Sequence, residues 1–449
     1  MKTYEKSFTA ILLFLCFLVH GLTSFAQSDR NISEVEQKQI IDKVFALLNT
    51  NYIFPDKVVA MEKVIYKKLS NSDYRKFSEL EEFLKNINTD LETLSGDRHI
   101  DIFFDPVRVK QIEAEAKVNG NKTGYAPEFL QRAKFENYLV KKVERLDANV
   151  GYLKFNAFVD TGLSKRTLTA SMHFLINSSA LIIDLRQNGG GDGGTVAFLL
   201  TYFLPDSTLI SLERSRATTV PIPHYVVSAR TVEKFDKNIP VYILVSKKTS
   251  SAAEAFAYTL QSYKRATIVG ETTNGEANPG YLYPINNDMY IMIPAFESIN
   301  PITKTNWQGK GVMPDVQIQG DKALAMAQVK AYKTLAQVTE VPEHKTLYDW
   351  LAIGLEAELQ PLFVTENELK SFEGEFSDNR HISFANGTLY YYRGDNANVK
   401  KKLIPLKPDL FGVEELPFFR IHFIKNERHE VVILEGIYDD GKKEASKKL

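Results

Sequence analysis

The chain has 449 residues, of which 44% are hydrophobic and 25% charged, and its formal net charge is -1. That length exceeds one ordinary hydrophobic core and predicts two or three domains of globular composition. The near-zero charge removes the electrostatic case for nucleic acid or an anionic membrane surface as a partner.

In chain order, Lys2 and Lys6 precede the apolar run Ala10 to Val19, which is followed by Ser24-Phe25-Ala26 and then by the polar Gln27-Ser28-Asp29. Small residues at Ser24 and Ala26 fit a signal-peptidase site. Residues 1–26 are therefore expected to be a cleaved signal peptide, and the protein to be exported to a periplasm or the extracellular space. The run is shorter than the ~20 residues of a membrane span, and no later stretch is long and apolar enough to cross. Cys16, the single cysteine, lies in this segment behind Phe14 and Leu15, where a lipidation site needs small residues. Its removal leaves no disulfide, no thiolate metal site and no cysteine nucleophile.

Residues 27–95 read as a helical domain. Val35, Ile40, Ile41, Val44, Phe45, Leu47 and Leu48 recur near helical spacing, as do Val59, Met61, Val64, Ile65 and Leu69 after Pro55. A third helix is expected from about Glu79 to Leu94, and short connections make a small bundle. From 96 to 335 strands alternate with helices. Val150–Phe155 alternates like a half-exposed strand, while Ala180–Leu185 and Val241–Val245 are continuous apolar runs of the kind buried on both faces. Thr267–Gly270 is a shorter one, and helices are expected over 193–203 and 252–263. This βα alternation predicts an α/β domain. Residues 336–364 read as a helical connector. From 365 to 449 short strands follow one another, with Asn386-Gly387 marking a hairpin, which predicts a small antiparallel sandwich or barrel. Lys442 to Leu449 read as frayed.

Chemistry concentrates in three places. Asp184-Leu185-Arg186-Gln187-Asn188-Gly189-Gly190-Gly191-Asp192-Gly193-Gly194 follows a buried strand and precedes a helix, with five glycines at 189–194. Such a loop admits φ > 0 and close approach of a ligand to backbone amides, as for a phosphate or an oxyanion. It lacks the lysine of a phosphate loop, and a plain tight turn is the competing reading. Ser251 opens a helix in Ser250-Ser251-Ala252-Ala253-Glu254, where a hydroxyl meets the positive helix end; Ser251 and Glu254 equally form a capping box that needs no catalysis. A nucleophilic serine needs a base. His99, in Gly96-Asp97-Arg98-His99-Ile100-Asp101 at the edge of the helical segment, is the best placed histidine, with a structural hydrogen-bonding role as the alternative.

Four segments, Gly96-Asp97-Arg98-His99, Asp184-Leu185-Arg186-Gln187-Asn188-Gly189-Gly190, Ser251-Ala252-Ala253-Glu254 and Gly309-Lys310-Gly311-Val312-Met313-Pro314-Asp315, stand in the order of the S41 peptidase family. That family includes the tail-specific or C-terminal processing proteases, the tricorn core protease and the interphotoreceptor retinoid-binding protein repeats. The resemblance covers about residues 35 to 320 and leaves the tail outside. It implies a crotonase/ClpP-like α/β core, with Ser251 matching the nucleophile and the amides of Gly190 and Ala252 matching the oxyanion donors. In the processing proteases a lysine past the serine is the base, and Glu276 stands at that position here. In the tricorn-like branch a histidine serves, and His99 matches it. The interval from Phe104 to Val150 is too short for an inserted PDZ domain, which points to the same branch.

Two departures stand out. Arg98 occupies a place where the family often has glycine, and Gln308 stands after Trp307 where a glutamate is expected. An amide orients a base but does not stabilise an imidazolium by charge, a loss that reaches about 10³–10⁴ in rate. Glu271, Asp97 and Asp101 are the other candidate partners of the base. The expected activity is that of a serine peptidase acting on peptide or unfolded protein segments, without cofactor, and without a metal because no His or carboxylate cluster has ligand spacing. The alternative is a non-catalytic binder of an apolar ligand or peptide on the same fold.

Overall fold

The structure, a computed structural model, describes residues 30–117, 127–218, 220–228, 232–396 and 399–449. The signal-peptide expectation for 1–26, Cys16 included, lies outside them. The described residues form two compact units, one within the ranges 1–144, 152–177 and 183–320, the other within 145–151, 178–182 and 321–449.

In the first unit the three expected helices are Glu34–Asn51, Pro55–Ser70 and Leu80–Ser95. The first starts at Ser33, whose hydroxyl accepts from the Glu36 N–H at 3.2 Å while the Glu36 carboxylate takes the Ser33 N–H at 3.0 Å. The second starts on Pro55, where a missing N–H costs nothing. These helices do not close a core alone. Ile40, Phe45, Leu48, Met61, Phe83 and Leu91 share one buried cluster with Ile100, Ile102, Met289, Ile291 and Ile293. The strands that carry the latter, Asp101–Phe104, Met289–Pro294 and Gly280–Pro284, form an antiparallel sheet. The third helix ends on Gly96 at φ 65, a left-handed stop that only glycine takes cheaply, and the chain leaves it directly into Asp97-Arg98-His99.

A six-stranded sheet runs in the order Val316–Gln317, Thr267–Gly270, Val241–Val245, Ala180–Asp184, Val150–Phe155, Val140–Leu146. Every residue of Ala180–Asp184 and Val241–Val245 is buried, as their unbroken apolar runs require. The expected helices are Gly193–Leu200 and Ala252–Ser262. A third sheet, Phe296–Ile299, Leu209–Ser215 and Ile222–Tyr225, is antiparallel.

The second unit contains the helices Ala323–Val338 and Pro342–Leu359 and, among the described residues, an eight-stranded antiparallel sheet. Asn386 and Gly387 have φ 50 and 73, the paired positive values of a tight hairpin turn. The sheet closes on itself. Phe376 bridges Lys448, the Ser377 N–H donates to Lys447 O at 2.8 Å, and the Leu449 N–H to Glu375 O at 2.9 Å. Of the two shapes expected, this is the barrel. Its interior is filled by Phe372, Phe376, Phe411, Phe423, Leu434 and their neighbours. The expectation of a frayed end at 442–449 is corrected: Lys443–Lys447 is a strand paired with Val431–Tyr438. Only Ser446 of its five side chains is buried, so no apolar alternation marks it, and backbone pairing on both sides holds it.

Candidate functional site

The strand Val241–Val245 ends in a turn pinned to the glycine loop. Thr249 Oγ1 donates to Leu185 O at 2.8 Å, Ser246 Oγ to Arg186 O at 2.6 Å, and the Ser250 N–H to Asn188 O at 3.1 Å. The turn delivers Ser251 to the start of the helix Ala252–Ser262 with φ 52 and ψ -115. That pair lies outside the ordinary regions for a residue with a Cβ and costs on the order of 1–3 kcal/mol, a strain that persists only where surroundings enforce it. Ala252 occupies the first helical position, whose N–H has no partner within the helix.

The glycine loop lies against this serine. Gly190 has φ +105, and a Cβ there would fall 2.9 Å from Ser250 O, 2.9 Å from Ser251 Cβ and 3.1 Å from Ala252 N. At Gly191, φ +133, it would fall 2.2 Å from Phe158 O. Asn188, wholly buried, shapes the loop: its side-chain carbonyl accepts the Gly190 N–H at 2.9 Å and its amide donates to Phe155 O at 3.0 Å. Of the two amides expected to face an oxyanion, that of Gly190 is thus turned toward Asn188 here.

Asp97 and His99 are both buried. Asp97 Oδ1 accepts the His99 N–H at 3.2 Å, and its Oδ2 accepts from the Tyr52 hydroxyl at 3.3 Å and from Asn278 Nδ2 at 3.2 Å. Burial, and then the Asp97 charge, push the Tyr52 hydroxyl far up, so it remains a donor. His99 Nδ1 lies 4.0 Å from Asp97 Oδ1, and Nε2 lies 3.7 Å from Glu276 Oε2. The same Glu276 Oε2 accepts from the Ser250 hydroxyl, while Oε1 accepts from Asn274 Nδ2 at 2.8 Å.

A buried carboxylate joins the serine turn to the loop that carries Glu276. Glu254 accepts the N–H groups of Ser251 at 2.8 Å, Gly275 at 2.6 Å and Glu276 at 2.9 Å, and the Thr273 hydroxyl at 2.5 Å. Burial pushes its carboxyl up to about 7 against the pull of these donors. Thr273 Oγ1 in turn accepts the Val312 N–H at 2.6 Å, which brings in the segment Gly309 to Asp315. The four motifs singled out in the sequence therefore meet: the glycine loop at Ser250 and Ser251, the third and fourth through Glu254 and Thr273, and the first through His99 and Glu276.

The remaining candidates fall as follows. Gln308 Oε1 accepts the Ala277 N–H at 2.8 Å and its Nε2 donates to Gly96 O at 3.2 Å, so it ties the Glu276 loop to the helix stop before His99. Glu271 has different neighbours: its N–H donates to Val245 O at 3.2 Å and its carboxylate lies 3.9 Å from Lys247 Nζ. Asp101 is held up to about 7, chiefly by burial, with the charges of Glu276 and Glu92 adding. Its folded pKa thus stands above the ~3.9 of an unfolded aspartate, so the native state binds the extra proton between those values. The stability it contributes is full at low pH and is lost as pH rises through about 7. Asp101→Asn, which mimics the protonated form, is expected to gain on the parent in urea unfolding as pH rises from about 4, with a margin about 1–2 kcal/mol larger at pH 8 than at pH 5.

Sequence reasoning missed Glu276 as a neighbour of His99, together with Ser250 and Asn274. The one signal was an acidic residue in the turn-rich Thr273-Asn274-Gly275-Glu276, where a charge has no other reason to be buried. Among the described residues no group of three or more His, Cys, Asp or Glu side chains is placed to hold a metal.

Residues 149–318 match the model of peptidase family S41, and residues 31–147 match that of the N-terminal domain of S41 peptidases in eukaryotic IRBP. A carboxy-terminal-processing protease of Bartonella bacilliformis is 25% identical over 185 residues, 40% of this chain and 41% of that protein. A carboxyl-terminal-processing protease of Synechocystis is 27% identical over 180 residues, 38% of each. The chain thus spans less than half the length of these curated relatives. Among solved structures, a putative peptidase from Parabacteroides merdae aligns with a TM-score of 0.44 and 17% identity over 64% of this chain and 92% of that one. With the two family models matching residues 31–147 and 149–318 in succession, the chain belongs to peptidase family S41.

Proposed function

We propose that the protein is a serine peptidase that works by acyl transfer on peptide or unfolded protein segments. His99 takes the proton of the Ser251 hydroxyl as Oγ attacks the scissile carbonyl carbon. The amides of Gly190 and Ala252 hold the oxyanion, and the imidazolium returns its proton to the leaving amine. Water then attacks the acyl-enzyme by the same route in reverse. The observation that carries this reading is the contact of Gly190 with a strained Ser251 and with Ala252 N. That close approach, which excludes any side chain at Gly190, supports the reading that the glycine loop and the start of the serine helix serve one hydroxyl. For the Gly190 N–H to serve, it must share or leave Asn188 Oδ1 as substrate enters.

The test is labelling by a fluorophosphonate probe, expected at Ser251 and absent in Ser251→Ala; labelling that persists in the variant refutes the assignment. Gly190→Ala adds a Cβ 2.9 Å from Ser251 Cβ at φ +105. It is expected to reduce the labelling rate by at least about 10²-fold, the worth of one oxyanion donor, with a lower Tm from the strained backbone. The second reading, a non-catalytic binder of an apolar ligand or peptide, is favoured by Gln308 and by the Gly190 amide turned to Asn188; saturable binding without probe reactivity would establish it. Export completes the proposal. No helix among the described residues is long and apolar enough to cross a membrane, and N-terminal sequencing of the cell-derived protein is expected to begin at Gln27.

A further inference from the structure

We infer that Glu276 supplies the carboxylate that orients His99 and stabilises its imidazolium, a positioning role that residue 308 does not fill in this chain. The inference rests on the assignment of His99 and Ser251 proposed above.

Geometry is the first support. Glu276 Oε2 lies 3.7 Å from His99 Nε2, and both side chains are more than nine-tenths buried. A charge at that distance, shielded from water, acts strongly on an imidazole. The carboxylate is also held in place before any substrate arrives. Asn274 Nδ2 and the Ser250 hydroxyl donate to its two oxygens. Its backbone N–H donates to Glu254, and its backbone carbonyl accepts from the Trp307 indole at 3.1 Å. An acid fixed from four sides loses little further freedom on meeting a cation, the condition for electrostatic preorganisation.

The second support is that the chain's departures from the family pattern converge on this one carboxylate. Gln308, where a glutamate was expected, is engaged with the Ala277 N–H and Gly96 O; it braces the residue after Glu276 and the turn before Asp97. Arg98, where glycine is common, places Nη1 at 2.6 Å from both Asn274 O and Asn274 Oδ1. That fixes which way the Asn274 amide points, so that Nδ2 faces Glu276 Oε1. Glu276 itself stands where the lysine-dependent relatives have their base. Each substitution alone reads as a defect; together they move the acid from position 308 to position 276.

Asp97 is the competing partner. It lies 4.0 Å from His99 Nδ1, but its Oδ1 is engaged by the His99 backbone N–H and its Oδ2 by Tyr52 and Asn278. It therefore shapes the turn and flanks the other ring nitrogen. Of the other charged groups, Asp101 feels the charges of Glu276 and Glu92, Glu254 lies behind the Glu276 amide, and the Arg98 cation lies beyond Asn274.

The experiment is the rate of fluorophosphonate labelling of the full chain between pH 5 and 9, for the parent, Glu276→Gln, Glu276→Asp and Gln308→Glu, with each variant's fold checked by circular dichroism and Tm. Glu276→Gln is expected to label at least about 10²-fold more slowly. Glu276→Asp, which keeps the carboxylate, is expected to recover part of the rate, and Gln308→Glu to change little. A folded Glu276→Gln with the parent's rate overturns the inference, as does a Gln308→Glu that gains about 100-fold. Persistence of labelling in His99→Ala or Ser251→Ala is a different result, which sinks the underlying assignment instead.

Discussion

Ser251→Ala is expected to lower turnover of a susceptible peptide by about 10⁴–10⁶-fold, the scale on which a serine hydrolase loses its nucleophile, while leaving the fold and Tm nearly unchanged. The stability half of that expectation follows from the backbone. Alanine inherits the same φ 52 and ψ -115, so the strain of the position is neither added nor removed. The Ser251 N–H, which donates to Glu254, is also retained. Ser251→Gly separates the two effects. It loses the hydroxyl equally but relieves the backbone, and a rise in stability of about 1–3 kcal/mol is expected. Thermal unfolding of the three proteins side by side decides it. A glycine variant no more stable than the alanine variant would mean that the surroundings do not force the serine into its conformation, and the argument from strain to function would fall with it.

Glu254→Ala is expected to do the opposite damage, destroying structure first. One carboxylate accepts three backbone N–H groups and one hydroxyl at 2.5–2.9 Å, all in a place where water does not reach. Each buried donor left without an acceptor costs about 1–3 kcal/mol. Even at the low end the three amides sum to roughly 3 kcal/mol, and a fall in Tm on the order of 10 °C is expected. Glu254→Gln is intermediate, because its NH₂ group faces N–H donors that need an acceptor. Activity should disappear in both variants, since the loop at 273–276 and the start of the serine helix are held to each other by this side chain. Loss of labelling together with lowered Tm distinguishes it from Ser251→Ala. A Glu254→Ala protein as stable as the parent would show that the loop finds other acceptors.

Much of this was legible in the sequence, and the reason differs from element to element. Val241–Val245 and Thr267–Gly270 are strands with the expected bounds, as short unbroken apolar runs suggest; Val150–Phe155 also has its expected bounds, but it is buried along nearly its whole length and not half exposed as its alternation suggested. The serine motif was read as a helix cap or a nucleophile site, and the Glu254 half of the cap is present. The strands Gly280–Pro284 and Met289–Pro294 went unread, since their apolar residues complete a core begun by helices far earlier in the chain, a relation that local periodicity does not contain. The strand Lys443–Lys447 was hidden by its exposed lysines. Glu276 was seen only as the wrong residue for a lysine; its neighbour His99 lies far off in sequence, and which acid faces a given imidazole is decided by tertiary contacts alone.

The barrel of the second unit has one more implication. A row of unpaired backbone amides and carbonyls is a template on which extended chains stack. By stitching its first strand to its last through Phe376 and Lys448, this part of the molecule leaves no such seam between those two strands.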